Sequence, residues 1–267
     1  MKNTTSFKLY MAIVVFLLLI PLSFEGYSNP PERQQYYEIR IYHLVNKTQE
    51  AMTDNYLRNA YLPALYRAGI AAAGVFKPVE TDTAFGKLIY VFIPFNTIEE
   101  YTGLSSKLNK DEEYVEAARP FCDAPYDKPP YERLETVLLL AFEDMPHFAV
   151  PDYTTPLTGR IYELRSYESA TEGKAMKKIE MFNSGGEIGI FKKLGFQPVF
   201  YGQVLSGSHM PNLMYMITFS DMKSHDQHWK AFTDSEDWKS LSAKEEYKNT
   251  VSKANPYLLH PTSYSDF

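Results

Sequence analysis

The sequence holds one cysteine, Cys122, in 267 residues. An intrachain disulfide is therefore excluded, and stability has to come from a packed core. The expected state of this thiol is buried and inert, since buried structural cysteine is common; the alternative is pairing between molecules. A Gly-rich phosphate loop, a nucleophile elbow and a Cys–His pairing are also missing. So is a basic stripe: 27 Lys and Arg stand against 33 Asp and Glu, a net charge of −6. Such a surface does not attract a phosphate backbone, so no nucleic-acid partner is expected. The uncharged stretch 9–24 is shorter than the ~20 residues that a spanning helix needs. It follows Lys2 and Lys8 and precedes Gly26-Tyr27-Ser28, which puts small residues at the −3 and −1 positions of a cut after Ser28. This reads as an export signal over 1–28, and it predicts a periplasmic or extracellular protein. Left uncleaved, that signal would be the one membrane attachment. No cysteine lies near the cut to carry a lipid. Without residues 1–28 the balance is 25 basic to 32 acidic, or −7.

What is present is ordinary in hydrophobic (45%) and charged (22%) content but rich in aromatics, with 21 Tyr and 17 Phe. Tyrosine pairs an apolar body with a polar tip and suits cavity walls, although aromatics also simply favour strands.

The chain repeats itself. Tyr37-Glu38-Ile39-Arg40-Ile41-Tyr42 returns 125 residues later as Tyr162-Glu163-Leu164-Arg165-Ser166-Tyr167. Arg67-Ala68-Gly69-Ile70 matches Lys193-Leu194-Gly195-Phe196 at an offset of 126, and Tyr90-Val91-Phe92-Ile93-Pro94-Phe95 matches Met214-Tyr215-Met216-Ile217-Thr218-Phe219 at 124. Asp111-Glu112-Glu113-Tyr114 lines up with Ser235-Glu236-Asp237-Trp238. An offset this long means two domain-sized copies rather than a solenoid.

Each copy reads β-α-β-β-α-β. In the first, a strand at 36–45 leads to a helix capped by Asn46 with Gln49 and stopped by Gly69; Pro63 kinks or divides it. Strands follow at 74–79 and 87–95, then helices at 97–107 and 111–118, and a last strand at 134–142. In the second, Ser169 with Glu172 caps the first helix. Strands follow at 197–205 and 212–219, helices at 221–232 and 236–247, and a strand at 251–260. The nearly all-apolar strands 88–95 and 213–219 must be buried on both faces. One face packs on helices, and a second copy of the sheet is the natural cover for the other. The expected fold is therefore α+β: two tandem ferredoxin-like repeats closing into a pseudo-dimeric α/β barrel. The expected boundaries are 1–28 signal, 29–35 N-terminal linker, 36–142 first repeat, 143–159 proline-containing linker and 160–267 second repeat. The proline-rich stretch 119–131 is either a lid or a packed surface loop.

With the repeated Tyr-Glu-Ile/Leu-Arg-x-Tyr start, further stretches carry a family resemblance. They are Phe182-Asn183-Ser184-Gly185-Gly186-Glu187, Phe200-Tyr201-Gly202-Gln203-Val204, Met210-Pro211-Asn212-Leu213-Met214-Tyr215 and His228-Trp229-Lys230-Ala231-Phe232. Over 36–267 the chain resembles the NIPSNAP family in its tandem, exported bacterial form. The second copy carries the pattern better; the first lacks both the Asn-x-Gly-Gly-Glu and the His-Trp segments. The resemblance implies a dimeric α/β-barrel fold, whose superfamily includes small monooxygenases, haem-dependent enzymes and plain binding proteins. It implies no particular chemistry.

Alternation on the first strand of each copy sets Tyr37, Ile39 and Ile41 on one face and Glu38, Arg40 and Tyr42 on the other; Glu163, Arg165 and Tyr167 repeat the second set. The apolar face suits the helix layer. The charged one is expected to face solvent or the barrel interior, either as a register-fixing ion-pair network or as an anion pocket with an arginine fork. The leading functional expectation is a small organic, even anionic, ligand held between the two sheets by Glu38, Arg40, Tyr42, Arg165, Tyr167, Asn183 and Tyr201. The alternative is a cofactor-independent oxygenase or lyase with Glu163 or Glu187 as base and Arg165 on the oxyanion; a third reading is an envelope interaction scaffold. Gly185-Gly186 interrupts a helix either for close packing or to expose amides and Glu187. Asp221, His225 and His228 share one helix face, but helices lie outside such a barrel, so packing is the better reading and no metal is expected. No cofactor is expected, because no strand histidine is an evident axial ligand; His209 falls in a turn. A homo-oligomer is compatible with the sequence.

Overall fold

The computed structural model describes residues 33–267. The signal at 1–28 and most of the 29–35 linker lie outside the described residues. Eight strands form one closed antiparallel barrel in the order β1-β3-β2-β8-β5-β7-β6-β4. These are β1 Tyr36–His43, β2 Gly74–Pro78, β3 Leu88–Phe95, β4 Arg133–Ala141, β5 Ile161–Glu168, β6 Gln197–Ser206, β7 Asn212–Phe219 and β8 Lys253–Pro261. Each copy contributes a four-stranded sheet of ferredoxin-like order. The two sheets meet along β2–β8 and β4–β6. Glu38 lies opposite Ile93, and Glu163 opposite Ile217, so the repeat keeps one register in both halves.

Outside the barrel the first copy carries α1 Lys47–Tyr56, a π-helical turn Leu57–Tyr61, α2 Leu62–Arg67, α3 Ile98–Leu108 and α4 Glu112–Cys122. The second carries α5 Glu172–Phe182, α6 Glu187–Lys193, α7 Met222–Asp234 and α8 Glu236–Ser242. Asn46 caps α1 as expected: its Oδ1 accepts from Gln49 N at 2.9 Å, and Gln49 Oε1 accepts from Val45 N. The cap of α5 is Thr171 rather than Ser169. Ser169 instead donates to Thr250 O at 2.7 Å. Pro63 stands in the first turn of α2, just after the π turn, where a missing N–H is tolerated. The second copy breaks the same helix at Ser184–Gly186. A Cβ on Gly185 would lie 2.6 Å from Met181 O and 2.9 Å from the Tyr247 hydroxyl, and Gly186 has φ +93°. Close packing and a left-handed turn therefore explain the glycine pair. The chains turn alike at α2–α4 and α6–α8, where Arg67 pairs with Glu113 and Lys193 with Asp237.

The strand faces are reversed from expectation. Tyr37 and Ile39 point into the barrel, whose interior is filled by side chains from both sheets. Phe92 stacks on Phe200 at 4.9 Å, Tyr37 touches both rings, and Phe76 meets Tyr162 at 4.8 Å. Phe267 and Phe148 close the end nearest the starts of β1 and β5. Glu38, Arg40 and Tyr42 turn the other way, beneath the helices. An eight-stranded barrel is just wide enough for side chains to fill it. Rings that stack across the axis exclude water there, so the apolar row takes the interior and the charged row is left to the helix side.

Candidate functional site

In the first copy, α1, the π turn, α3 and α4 stand over β1 without filling the space above its charged row. Two cavities result, of about 500 and 340 Å³, and Arg40 lines both. Tyr56 and Tyr114 also wall both, joined hydroxyl to hydroxyl at 2.9 Å. Phe121 stacks on Tyr56 at 3.9 Å, and Tyr56 on Tyr61 at 5.6 Å. The larger cavity continues along Tyr42, Tyr131 and the proline-rich loop after α4. That loop is tied at its far end, where Gln49 Nε2 donates to Pro129 O and Thr53 Oγ1 to Pro130 O; Tyr126 near its tip is 97% exposed. Cys122 ends α4 at the rim and is exposed, against the expectation of burial, because the helix stops there and its last residue has no layer above it.

The smaller cavity contains the ion pair. Arg40 Nη1 donates to Glu38 Oε1 at a long 3.4 Å, and the guanidinium carbon lies 5.2 Å from the Tyr61 ring centre. Glu38 is buried, and burial pushes its carboxyl above the usual carboxylate range, with Arg40 opposing. Burial likewise pushes the Tyr42 phenol up to about 12. The Tyr61 hydroxyl and Arg40 Nε are buried without a hydrogen-bond partner.

The equivalent row of the second copy is closed over. Arg165 Nη1 donates to Glu163 Oε1 at 2.8 Å. Trp229 Nε1 donates to Glu163 Oε2 at 2.6 Å, and His225 Nε2 lies 3.3 Å from the same oxygen. The Trp229 ring lies against the Arg165 guanidinium at 4.4 Å. Burial works to lower His225, but the Glu163 and Asp226 carboxylates more than offset it and hold the imidazole up. Beneath α5, Lys178 Nζ meets Glu187 Oε2 at 2.6 Å, with both side chains buried. Burial raises Glu187, against the pull of Lys178. Tyr167 and Tyr215 share a hydroxyl contact of 2.9 Å, and Tyr201 packs among Phe182, Phe191 and Tyr215.

The structure thus sorts the expected site residues. Glu38, Arg40 and Tyr42 line open cavities. Glu163, Arg165, Tyr167, Glu187 and Tyr201 are knit into the packed counterpart. Asn183 belongs to neither: its Oδ1 accepts from Asp144 N, beside a separate surface cleft. Both rows face outward from the barrel, each beneath the helices of its own copy, so they do not meet in one cavity between the sheets. His228 Nδ1 donates to Ser224 O at 2.7 Å on its own helix, and the ring packs on Phe196 and Phe219. Among the described residues no cluster of three metal-ligating side chains occurs. One strand histidine does reach the interior row: His43 lines a pocket of about 210 Å³ at the barrel mouth, together with His209 and Glu135. The residues that make the first-copy cleft, Tyr56, Tyr61, Tyr101, Ser105 and Tyr114, were not singled out from sequence. Pairing the copies at the 124-residue offset would have found the key one, since it sets Ser105 opposite Trp229.

A closed barrel of two ferredoxin-like sheets with all helices outside is a tandem α/β barrel. Residues 162–266 match the model of the NIPSNAP family. The match lies in the second copy, which carries the Gly-Gly-Glu and His-Trp segments. Among solved structures, a candidate monooxygenase from Lactobacillus acidophilus NCFM is 12% identical, with a TM-score of 0.53 over 86% of this chain and 94% of that one. A candidate monooxygenase from Fusobacterium nucleatum is 9% identical, with a TM-score of 0.54 over 86% and 93%. An anthrone oxidase-like protein is 11% identical, with a TM-score of 0.51 over 87% and 93%. At these identities the likeness is one of fold. Comparison with curated proteins gave no match.

Proposed function

We propose that the protein binds a small organic molecule in the first-copy cleft, between helices and sheet, with Glu38, Arg40 and Tyr42 as its polar floor. The reading carries over the exported location inferred from residues 1–28. One observation supports it above the others: Arg40 borders two cavities at once, whereas its counterpart Arg165 is covered by an indole. Concave, aromatic-lined spaces with a few convergent polar groups are the usual form of a ligand site. A carboxylate- or phenolate-bearing ligand would take bidentate donors from the guanidinium.

The test is a thermal-shift and calorimetric screen of small aromatic carboxylates and phenols. Arg40→Leu should abolish the ligand-induced shift, and Arg165→Leu should leave it in place. Equal binding by wild type and Arg40→Leu would overturn the reading. A second reading, an oxygenase or lyase without cofactor, is favoured by one observation: a buried carboxyl with a raised pKa, Glu38, stands beside Arg40 in the cleft. Glu187, the other raised carboxyl, is less suited to that work because Lys178 holds it.

A further inference from the structure

The second copy shows what the first-copy cleft is shaped to hold. Helices α3 and α7 have equivalent caps, Thr97 and Asp221. Eight residues beyond each cap stand Ser105 and Trp229. Trp229 does two things: its ring face covers the Arg165 guanidinium at 4.4 Å, and its N–H donates to Glu163 Oε2 at 2.6 Å. In the first copy Ser105, too short to reach, lines an open cavity of about 340 Å³ whose floor is the same Glu–Arg pair. The Glu38–Arg40 contact is longer there, 3.4 Å against 2.8 Å. The carboxylate lacks an indole donor, and the guanidinium has only the more distant Tyr61 ring beside it, at 5.2 Å against 4.4 Å.

Resting on the reading that this cleft is a ligand site, we propose that it takes a planar aromatic molecule bearing an N–H or O–H donor, held as the indole of Trp229 is held in the second copy. The ring lies over Arg40, in the cation–π arrangement that a guanidinium favours. The donor meets Glu38, an acceptor whose burial makes an unmet hydrogen bond costly. Tyr61 and Tyr114 supply the side walls.

Indole and 1-methylindole test this directly, because they share a ring and differ in the donor. Calorimetry on the full chain should show indole binding at one site per chain, at least tenfold more tightly than 1-methylindole. Glu38→Gln should cut that preference to less than threefold. Ser105→Trp, which rebuilds the second copy's arrangement, should abolish binding of both; Ser105→Met serves if the tryptophan variant melts early. Equal affinity for the two probes, no binding of indole, or indole binding unaffected by filling position 105 would each overturn the proposal. Benzoate separates this failure from that of the broader reading. If benzoate binds and Arg40→Leu removes it while indole does not bind, the cleft is a ligand site of another chemistry.

Discussion

The two copies share a strand register, a helix order and the Glu-x-Arg-x-Tyr row, yet one is hollow where the other is solid. The difference lies in a few positions. Thr53, Tyr61 and Ser105 of the first copy stand where the second has Lys178, Glu187 and Trp229. In the second copy the polar row is a structural network: each carboxylate oxygen of Glu163 has a donor, and Lys178 and Glu187 neutralise each other. In the first copy Glu38 and Arg40 keep each other, at a longer 3.4 Å, but Glu38 has no counterpart of the Trp229 donor. A buried polar group without partners carries a free-energy cost. Both copies hold such groups, Arg40 Nε and the Tyr61 hydroxyl in the first and Arg165 Nε and the Tyr201 hydroxyl in the second; in the first they border open cavities, where the proposed ligand would complete them.

The contrast can be broken most severely at Lys178. Lys178→Met leaves Glu187 buried and unpaired, and should destabilise the fold by ~3–5 kcal/mol in urea melts. Tyr61→Phe, at the position matching Glu187, removes only an unpartnered hydroxyl and should cost less than ~1 kcal/mol. If the two variants melt alike, the second copy's network is not structural.

Next in size is Trp229→Gly. Emptying this partly exposed ring site should cost about 3 kcal/mol, and millimolar indole should restore part of the melting temperature. Ser105→Gly, its counterpart, should stay within ~0.5 kcal/mol of wild type.

A smaller effect is expected at glycines. Gly185→Ala forces a Cβ against Met181 O and should cost ~1–3 kcal/mol, the usual price of overpacking. Gly103→Ala, in α3 with nothing within 4 Å of the added carbon, should stabilise by ~0.5–1 kcal/mol. Paired chemical melts decide both.

The smallest effect is with pH. Burial raises Glu38 and Glu187, so the native state holds their protons to higher pH than the unfolded chain does. Stability contributed by these two groups therefore falls as pH rises from the ordinary carboxylate value through their raised folded values, and is level above that. Denaturant midpoints for wild type and Glu38→Gln over this range should show a shallower fall in the variant. An identical slope would place Glu38 outside the titration.

Much of this architecture was legible in the chain. The 124–126-residue offset gave the tandem copies, and two all-apolar strands demanded a second sheet as cover. What the sequence pattern could not decide was which side of β1 faced inward. Alternation groups Tyr37 with Ile39 and Glu38 with Arg40, but it carries no label for barrel or helix. The deciding fact is three-dimensional: the rings of Tyr37, Phe92 and Phe200 meet across the barrel axis. The cleft was hidden for a related reason. Its defining residue, Ser105, is notable only for being small where its twin is large, and a void leaves no motif. The cap of α5 slipped by two residues because Ser169 and Thr171 both suit the position, and Ser169 found a partner in Thr250.

The barrel closes only through the joints β2–β8 and β4–β6, each of which borrows one strand from either half. Severed between residues 142 and 160, each half would carry a row of bare rings and two raw strand edges. Its nearest satisfactory mate would be the opposite half of any neighbouring molecule. The connecting peptide is therefore a device of local concentration, keeping each half matched to its own partner rather than to a stranger's.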